Sequence, residues 1–264
     1  VSQAPVADLP SGRDTVAPAP ASAEEQALRR DLAACYRIFD RLGWVEMIYN
    51  HITVRIPGPD HHFLINPFGL LYSEVTASNL VKIDLDGRKI DTSPHPVNPA
   101  GFVVHAAIHR SIPDALCIMH THTTAGMAVA CKTGGVEMTN FYAAMLHGQI
   151  AYHDFEGITV NPEEEERLLA SIGDRRQVVL RNHGLLTWGE TIPEAFVRMW
   201  TLNRACEVQV ASASMAGPDI PIPLAVCEQS SREALQFSPE YGAGRDVFDA
   251  LRRQIDRTQP GYRD

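Results

Sequence analysis

Two short apolar runs that each lead into histidine set the strongest limit on how this chain can fold. Ala115-Leu116-Cys117-Ile118-Met119 runs into His120-Thr121-His122, and Val178-Val179-Leu180 runs into Arg181-Asn182-His183-Gly184. Apolar runs of this length read as buried strands. Residues i and i+2 of a strand share a face, so His120 and His122 can turn two imidazoles toward one point. A third imidazole, His183, from a neighbouring strand would complete a three-nitrogen metal set with coordination positions left open. The other reading of such a pair is structural, with both rings spent on hydrogen bonds. Gly184 permits a turn beside the third imidazole. His105 and His109 form a competing pair at the i, i+4 spacing of one helix face, but they lack the Glu of a zinc-protease motif. They are expected to pack behind the site rather than to ligate.

The chain has 264 residues, 45% of them hydrophobic, which supports a sizeable core. A formal charge of -9 without a basic stripe argues against nucleic acid or an anionic membrane surface as partner. Cys35, Cys117, Cys131, Cys206 and Cys227 are scattered, odd in number and without a Cys-x-x-Cys, the usage of a reducing cytoplasm. No segment approaches the roughly 20 apolar residues of a membrane helix.

Residues 1–22, rich in Pro, Ala and Ser, read as a flexible tail. A helix is expected from Ser22, with Leu28, Leu32, Cys35, Ile38 and Phe39 on one stripe, ending at Gly43. Strands are expected at Ile52 to Ile56, His62 to Ile65 and Val81 to Asp84, the last turning at Asp86-Gly87 into a return strand. A helix from Gly101 to His109 precedes the strand that ends at His120, and Thr123 to Cys131 is again helical. A strand or loop through Tyr142, a strand from Gln149 to Tyr152 and a helix opening at Glu163 to Glu166 follow. The strand ending at His183 then gives way to a return strand through Trp188 and a long helix from Ile192 to Met215. One domain over 23–216 and a C-terminal arm over 217–264 with one helix, Arg245 to Arg257, complete the reading.

Several segments match one family: Ile48-Tyr49-Asn50-His51-Ile52-Thr53, Pro67 to Thr76, Asn98-Pro99-Ala100-Gly101-Phe102, His120-Thr121-His122, Ala151-Tyr152-His153-Asp154 and Arg181-Asn182-His183-Gly184-Leu185. On these the chain resembles the class II aldolase/adducin family. The resemblance implies an α/β fold, a three-layer α/β/α sandwich around a central, mainly antiparallel sheet, and a homotetramer with sites at subunit interfaces. It implies zinc on His120, His122 and His183, polarising substrate oxygens as a Lewis acid. Imidazole ligands suit iron, manganese and cobalt as well.

The chain departs from the family's sugar-phosphate aldolases at two loops. Their Ser-Ser-Glu motif, which supplies phosphate-binding hydroxyls and a carboxylate, is here Pro99, Ala100 and Gly101, and Phe68 replaces the hydroxyl residue before Gly69. A substrate without phosphate and a different base are therefore expected. Tyr142 and His147 are the candidate acid and base, while Asn50, His51, Gly69 and Gly101 are the candidate substrate contacts. The resemblance thus implies a metal-dependent lyase for a small hydroxy or oxo acid, by aldol cleavage or decarboxylation. Its alternatives are a non-haem iron oxygenase and an adducin-like binding module, the last disfavoured by the acidic charge.

Overall fold

A computed structural model of the protein describes residues 21–157, 163–234 and 242–264, with the side chains of 99–101 outside the described set. The expected tail, residues 1–22, falls outside it apart from its last two residues. The first helix forms as its sequence dictates. The Ser22 hydroxyl accepts from the Glu25 amide at the start of α1 (Ala23–Leu42), and Glu24 and Glu25 lie in the first turn, favoured by the helix dipole. Gly43, at φ 71°, closes it by donating to Asp40, while the Trp44 amide reaches back to Phe39.

Seven strands form one sheet in the order β3-β2-β1-β4-β7-β6-β5: β1 (Ile52–Arg55), β2 (Phe63–Ile65), β3 (Val81–Ile83), β4 (Cys117–Thr121), β5 (Ile150–His153), β6 (Gln177–Leu180) and β7 (Gly184–Gly189). Every neighbouring pair is antiparallel except β5 with β6. That parallel pair needs a crossover, which α5 (Glu164–Ile172) supplies. Alternation along the strands divides the core in two. Ile52, Val54, Leu64, Cys117 and Met119 pack under α1 and α6 (Ile192–Ala213). Phe63 and Ile65 pack under α2 (Pro99–Ser111), and Ile118, Val178 and Leu186 under α2 and α5. The result is the three-layer α/β/α sandwich with a mainly antiparallel sheet.

The structure differs from the sequence reading at four places. The return strand after Asp86-Gly87 shrinks to a single bridge between Ile83 and Lys89. The segment read as strand or loop through Tyr142 is a short helix, α4 (Phe141–Met145), capped by the Asn140 side chain on the Ala143 amide. β6 ends at Leu180, so His183 sits in the turn to β7 rather than on a strand. Among its described residues the C-terminal arm holds two α-helices where one was expected: α7 (Leu224–Glu233) precedes α8 (Arg245–Thr258). α8 docks on α1 and α6, with Phe248 against Phe196 at 6.0 Å between ring centroids and Arg252 paired to Asp31 at 2.7 Å.

Candidate metal centre

His120 lies on β4, and His122 follows just past its end. α3 (Thr124–Ala130) starts immediately afterwards, its first turn capped by the Thr123 hydroxyl on the Gly126 amide. That hydroxyl in turn donates to Asn203 of α6 at 2.5 Å, which pins the strand-to-helix switch beside the pair. His183 comes from the β6–β7 turn, where Asn182 takes the left-handed conformation at φ 57° that Asn tolerates better than most residues. The sequence reading gave the turn to Gly184. Its role is space instead: a β-carbon there would stand 2.6 Å from the Thr121 carbonyl oxygen and 3.0 Å from the His122 ring.

The three imidazoles converge. Ring centroids are 4.6 Å apart for His120 and His122, 4.8 Å for His120 and His183, and 4.9 Å for His122 and His183. Their ligand atoms all lie within 4.8 Å of one another, and no carboxylate joins this cluster among the described residues. The Leu185 carbonyl can only accept, so His120 donates to it from Nδ1 at 2.9 Å and keeps Nε2 bare. The His122 Nε2 lies 2.7 Å from that nitrogen.

Burial drives the His120 imidazole well below its ordinary range, the neighbouring His183 and His122 adding to the effect. Burial first and then His122 push His183 down to about 4. His122 is lowered by burial, while the negative charge of Glu46 opposes the shift. All three rings are thus neutral at pH 7, the form that ligates metal. Three converging, neutral imidazoles, one with its tautomer fixed by a backbone carbonyl, fit a divalent transition metal.

His51 stands beside this set, its ring 4.2 Å from that of His105 and 5.8 Å from that of His120. Asn50 is buried, and its amide nitrogen and oxygen find no hydrogen-bond partner among the described residues. An amide left so would cost about 1–3 kcal/mol, which keeps Asn50 as a ligand-binding candidate. Gly69, at φ 99°, occupies a turn in which the Leu70 amide donates to Pro67, a conformation suited to glycine. Gly101 belongs to the opening turn of α2, and its surroundings lie outside the described residues.

Among the described residues, Tyr142 and His147 pack against α6 and α7 rather than against the triad. The Tyr142 ring meets Trp200 at 5.4 Å, Phe141 at 5.2 Å and the Arg204 guanidinium at 5.9 Å. The His147 carbonyl accepts from Ser231. His105 and His109, the competing pair, share the Thr53 hydroxyl instead of a metal. Sequence reasoning missed Glu46, an isolated acid in a loop, and Phe155, whose half-exposed ring stands 6.1 Å from His183. Neither lies in a pattern that a period or motif would have flagged.

His120 on the central strand β4, His122 just past its end and His183 in the β6–β7 turn bring three imidazoles together on an α/β sandwich, which defines the class of protein. The class II aldolase and adducin N-terminal domain matches residues 30–210, and the chain belongs to that family. It is 43% identical to alpha-adducin of Rattus norvegicus over 98% of its own length, but spans only 36% of that protein. An aldolase II superfamily protein from Pseudomonas syringae superposes with a TM-score of 0.86 at 39% identity, covering 92% of this chain and 98% of that one. An L-fuculose 1-phosphate aldolase from Glaciozyma antarctica PI12 superposes with a TM-score of 0.79 at 29% identity, covering 93% and 96%.

Proposed function

We propose that the protein is a metal-dependent carbon–carbon lyase for a small, non-phosphorylated hydroxy or oxo acid, acting by aldol cleavage or decarboxylation. The observation that carries this reading is the convergence of His120, His122 and His183 within 4.8 Å, all neutral. A divalent cation held there, zinc first, would supply Lewis-acid polarisation of a carbonyl oxygen. The chain's own residues do the rest. His120, held by Leu185, and its two neighbours would hold the cation, and the His51 ring lies 5.8 Å from that of His120, on the candidate substrate side. Glu46 adds negative charge beside His122. Similarity to an L-fuculose 1-phosphate aldolase supports the lyase class, whereas Phe68 before Gly69 supports a substrate without phosphate.

Five free cysteines, four of them buried, support a cytoplasmic location, and no helix among the described residues is long and apolar enough to cross a membrane. The exposed apolar side chains of Phe141 and Val247 are compatible with assembly of copies of this chain, the family's homotetramer being the arrangement proposed. Metal analysis joined to an activity screen on hydroxy and oxo acids, with and without air, tests the function. Anaerobic release of a carbonyl fragment or carbon dioxide supports the lyase, and turnover that requires dioxygen replaces it with an oxygenase. The second reading, a binding module, is favoured by the 43% identity to alpha-adducin. Stoichiometric metal without turnover on any member of the screen would support that reading.

A further inference from the structure

His120 takes its orientation from the Leu185 carbonyl, but His122 has no such anchor: among the described residues its ring makes no hydrogen-bond contact except with His120 Nε2, at 2.7 Å. Its place therefore depends on the backbone that leaves β4, and that backbone is held through Thr123. The directions of the bonds that hold it can be derived one after another. A carboxylate only accepts, so Glu207 Oε1, 2.8 Å from the Asn203 side-chain nitrogen, decides which end of that amide faces it. The other end, Oδ1, is thereby turned to Thr123 and takes its hydroxyl proton at 2.5 Å. The Thr123 oxygen keeps its lone pairs for the Gly126 amide, at 3.2 Å. Arg204 donates to the far oxygen of Glu207 at 2.7 Å, so the carboxylate that starts the line is itself held. Asn203 is buried with both ends of its amide satisfied. At the other end, a β-carbon at Gly126 would stand 2.8 Å from the side chain of Leu185, the residue whose carbonyl orients His120.

We infer that Asn203 and Glu207 of α6 are positioning residues of the three-histidine centre: by fixing the direction of the Thr123 hydroxyl they hold the exit from β4 at which His122 joins His120. Neither side chain is placed to touch a cation, and no proton moves along the line. It acts by tying residues 122 and 123 to α6 on one side and, through Gly126, to β7 on the other. An imidazole already in place loses less freedom when a metal binds than one that must first be ordered, so groups behind the ligands set affinity. The inference rests on the lyase reading for the metal itself; the hydrogen-bonded line is a property of the metal-free chain.

Zinc affinity measured by chelator competition tests it. Asn203→Leu should lower the affinity about tenfold and keep one zinc per chain. Asn203→Asp combined with Glu207→Gln conserves the charge and reverses the bond between the two side chains, an amide now donating to a carboxylate that still accepts from Thr123; this pair should restore wild-type affinity. Phe248→Leu, in the contact of α8 with Phe196, lowers stability away from the line and should leave the affinity unchanged, so a general loss of stability cannot imitate the effect. Wild-type affinity in folded Asn203→Leu, or a double variant as weak as Asn203→Leu, would overturn the inference. Should Asn203→Leu not fold, Thr123→Val takes its place, with the same loss expected and Thr123→Ser expected to reverse it. Ring carbon–proton spectra of the metal-free protein separate this inference from the reading it rests on: Asn203→Leu should broaden or double the His122 signals and leave those of His109 unchanged. A wild-type protein that binds no zinc but shows that change defeats the metal reading alone, and unchanged His122 signals with normal zinc binding defeat the positioning role alone.

Discussion

Gly184 packs so closely on Thr121 that a β-carbon at position 184 would stand 2.6 Å from the Thr121 carbonyl oxygen. Because that contact joins the turn carrying His183 to the strand carrying His120, Gly184→Ala must push the two ligand-bearing segments apart. The expected cost is about 1–3 kcal/mol of stability, typical of overpacking, together with weaker zinc binding. Urea unfolding with and without zinc measures both, and wild-type values for the alanine variant would show that the contact is not a constraint.

Removing a ligand should remove the metal. The wild-type protein is expected to bind one zinc per chain, and His120→Ala or His183→Ala to lose it, since each leaves two imidazoles where three converge. Elemental analysis after dialysis is the measurement, and full zinc content in both variants would refute the centre.

Fuculose 1-phosphate should be a poor substrate. Phe68 precedes Gly69 in the turn, and Pro99 and Ala100 open α2, so the side-chain hydroxyls expected for a phosphate at these positions are missing from both. Saturable cleavage with a strong preference for the phosphorylated over the free sugar would contradict this, and would bring the chain's substrate into line with the aldolase of Glaciozyma antarctica that it resembles.

Acid should destabilise the metal-free protein well before carboxylates titrate. Burial holds His109 down to about 3 in the folded chain, against about 6.5 when unfolded. Between those values the unfolded state binds the extra proton, so stability falls as pH drops through the window and is fully present only above the unfolded value. His109 alone should account for about 2 kcal/mol between pH 7 and pH 5. Chemical denaturation at the two pH values checks it, and equal stabilities would show that His109 is not held neutral.

Glu46 should tune the centre without building it. Its charge favours the cationic form of His122 and would favour a bound cation in the same way. Glu46→Gln is expected to weaken zinc binding by about threefold to tenfold, more at low salt, and to leave the one-to-one stoichiometry intact. Unchanged affinity at low salt would remove Glu46 from the site.

The convergence of His120, His122 and His183 was legible in the sequence because each follows an apolar run, and the strand period turns His120 and His122 the same way. The placement of His183 was less so: β6 stops at Leu180, and the left-handed residue of the turn is Asn182, so the neighbouring glycine drew the assignment that belonged to the asparagine. Both missed helices are short. α4 has only five residues and depends on the Asn140 cap, and α7 begins after a Pro-rich link with a single fully buried side chain, Cys227, too little apolar period to recognise. The role of Thr53 was invisible because it joins His105 and His109 across 52 and 56 residues of chain, a relationship that no local pattern carries.

The three converging histidines come from β4, the residue just past its end and the β6–β7 turn, at the middle of the sheet, where β4 is paired on both sides. The groups proposed to meet the substrate come from elsewhere: the loop carrying Glu46, Asn50 and His51, the turn at Gly69 and the start of α2. The two sets therefore lie on different elements, and a change in those loops leaves in place the backbone that brings the three imidazoles together. Mutational drift in this scaffold should accordingly be free at the rim and severe at the centre, and library design for new substrates should randomise those loops and leave β4, β6 and β7 untouched.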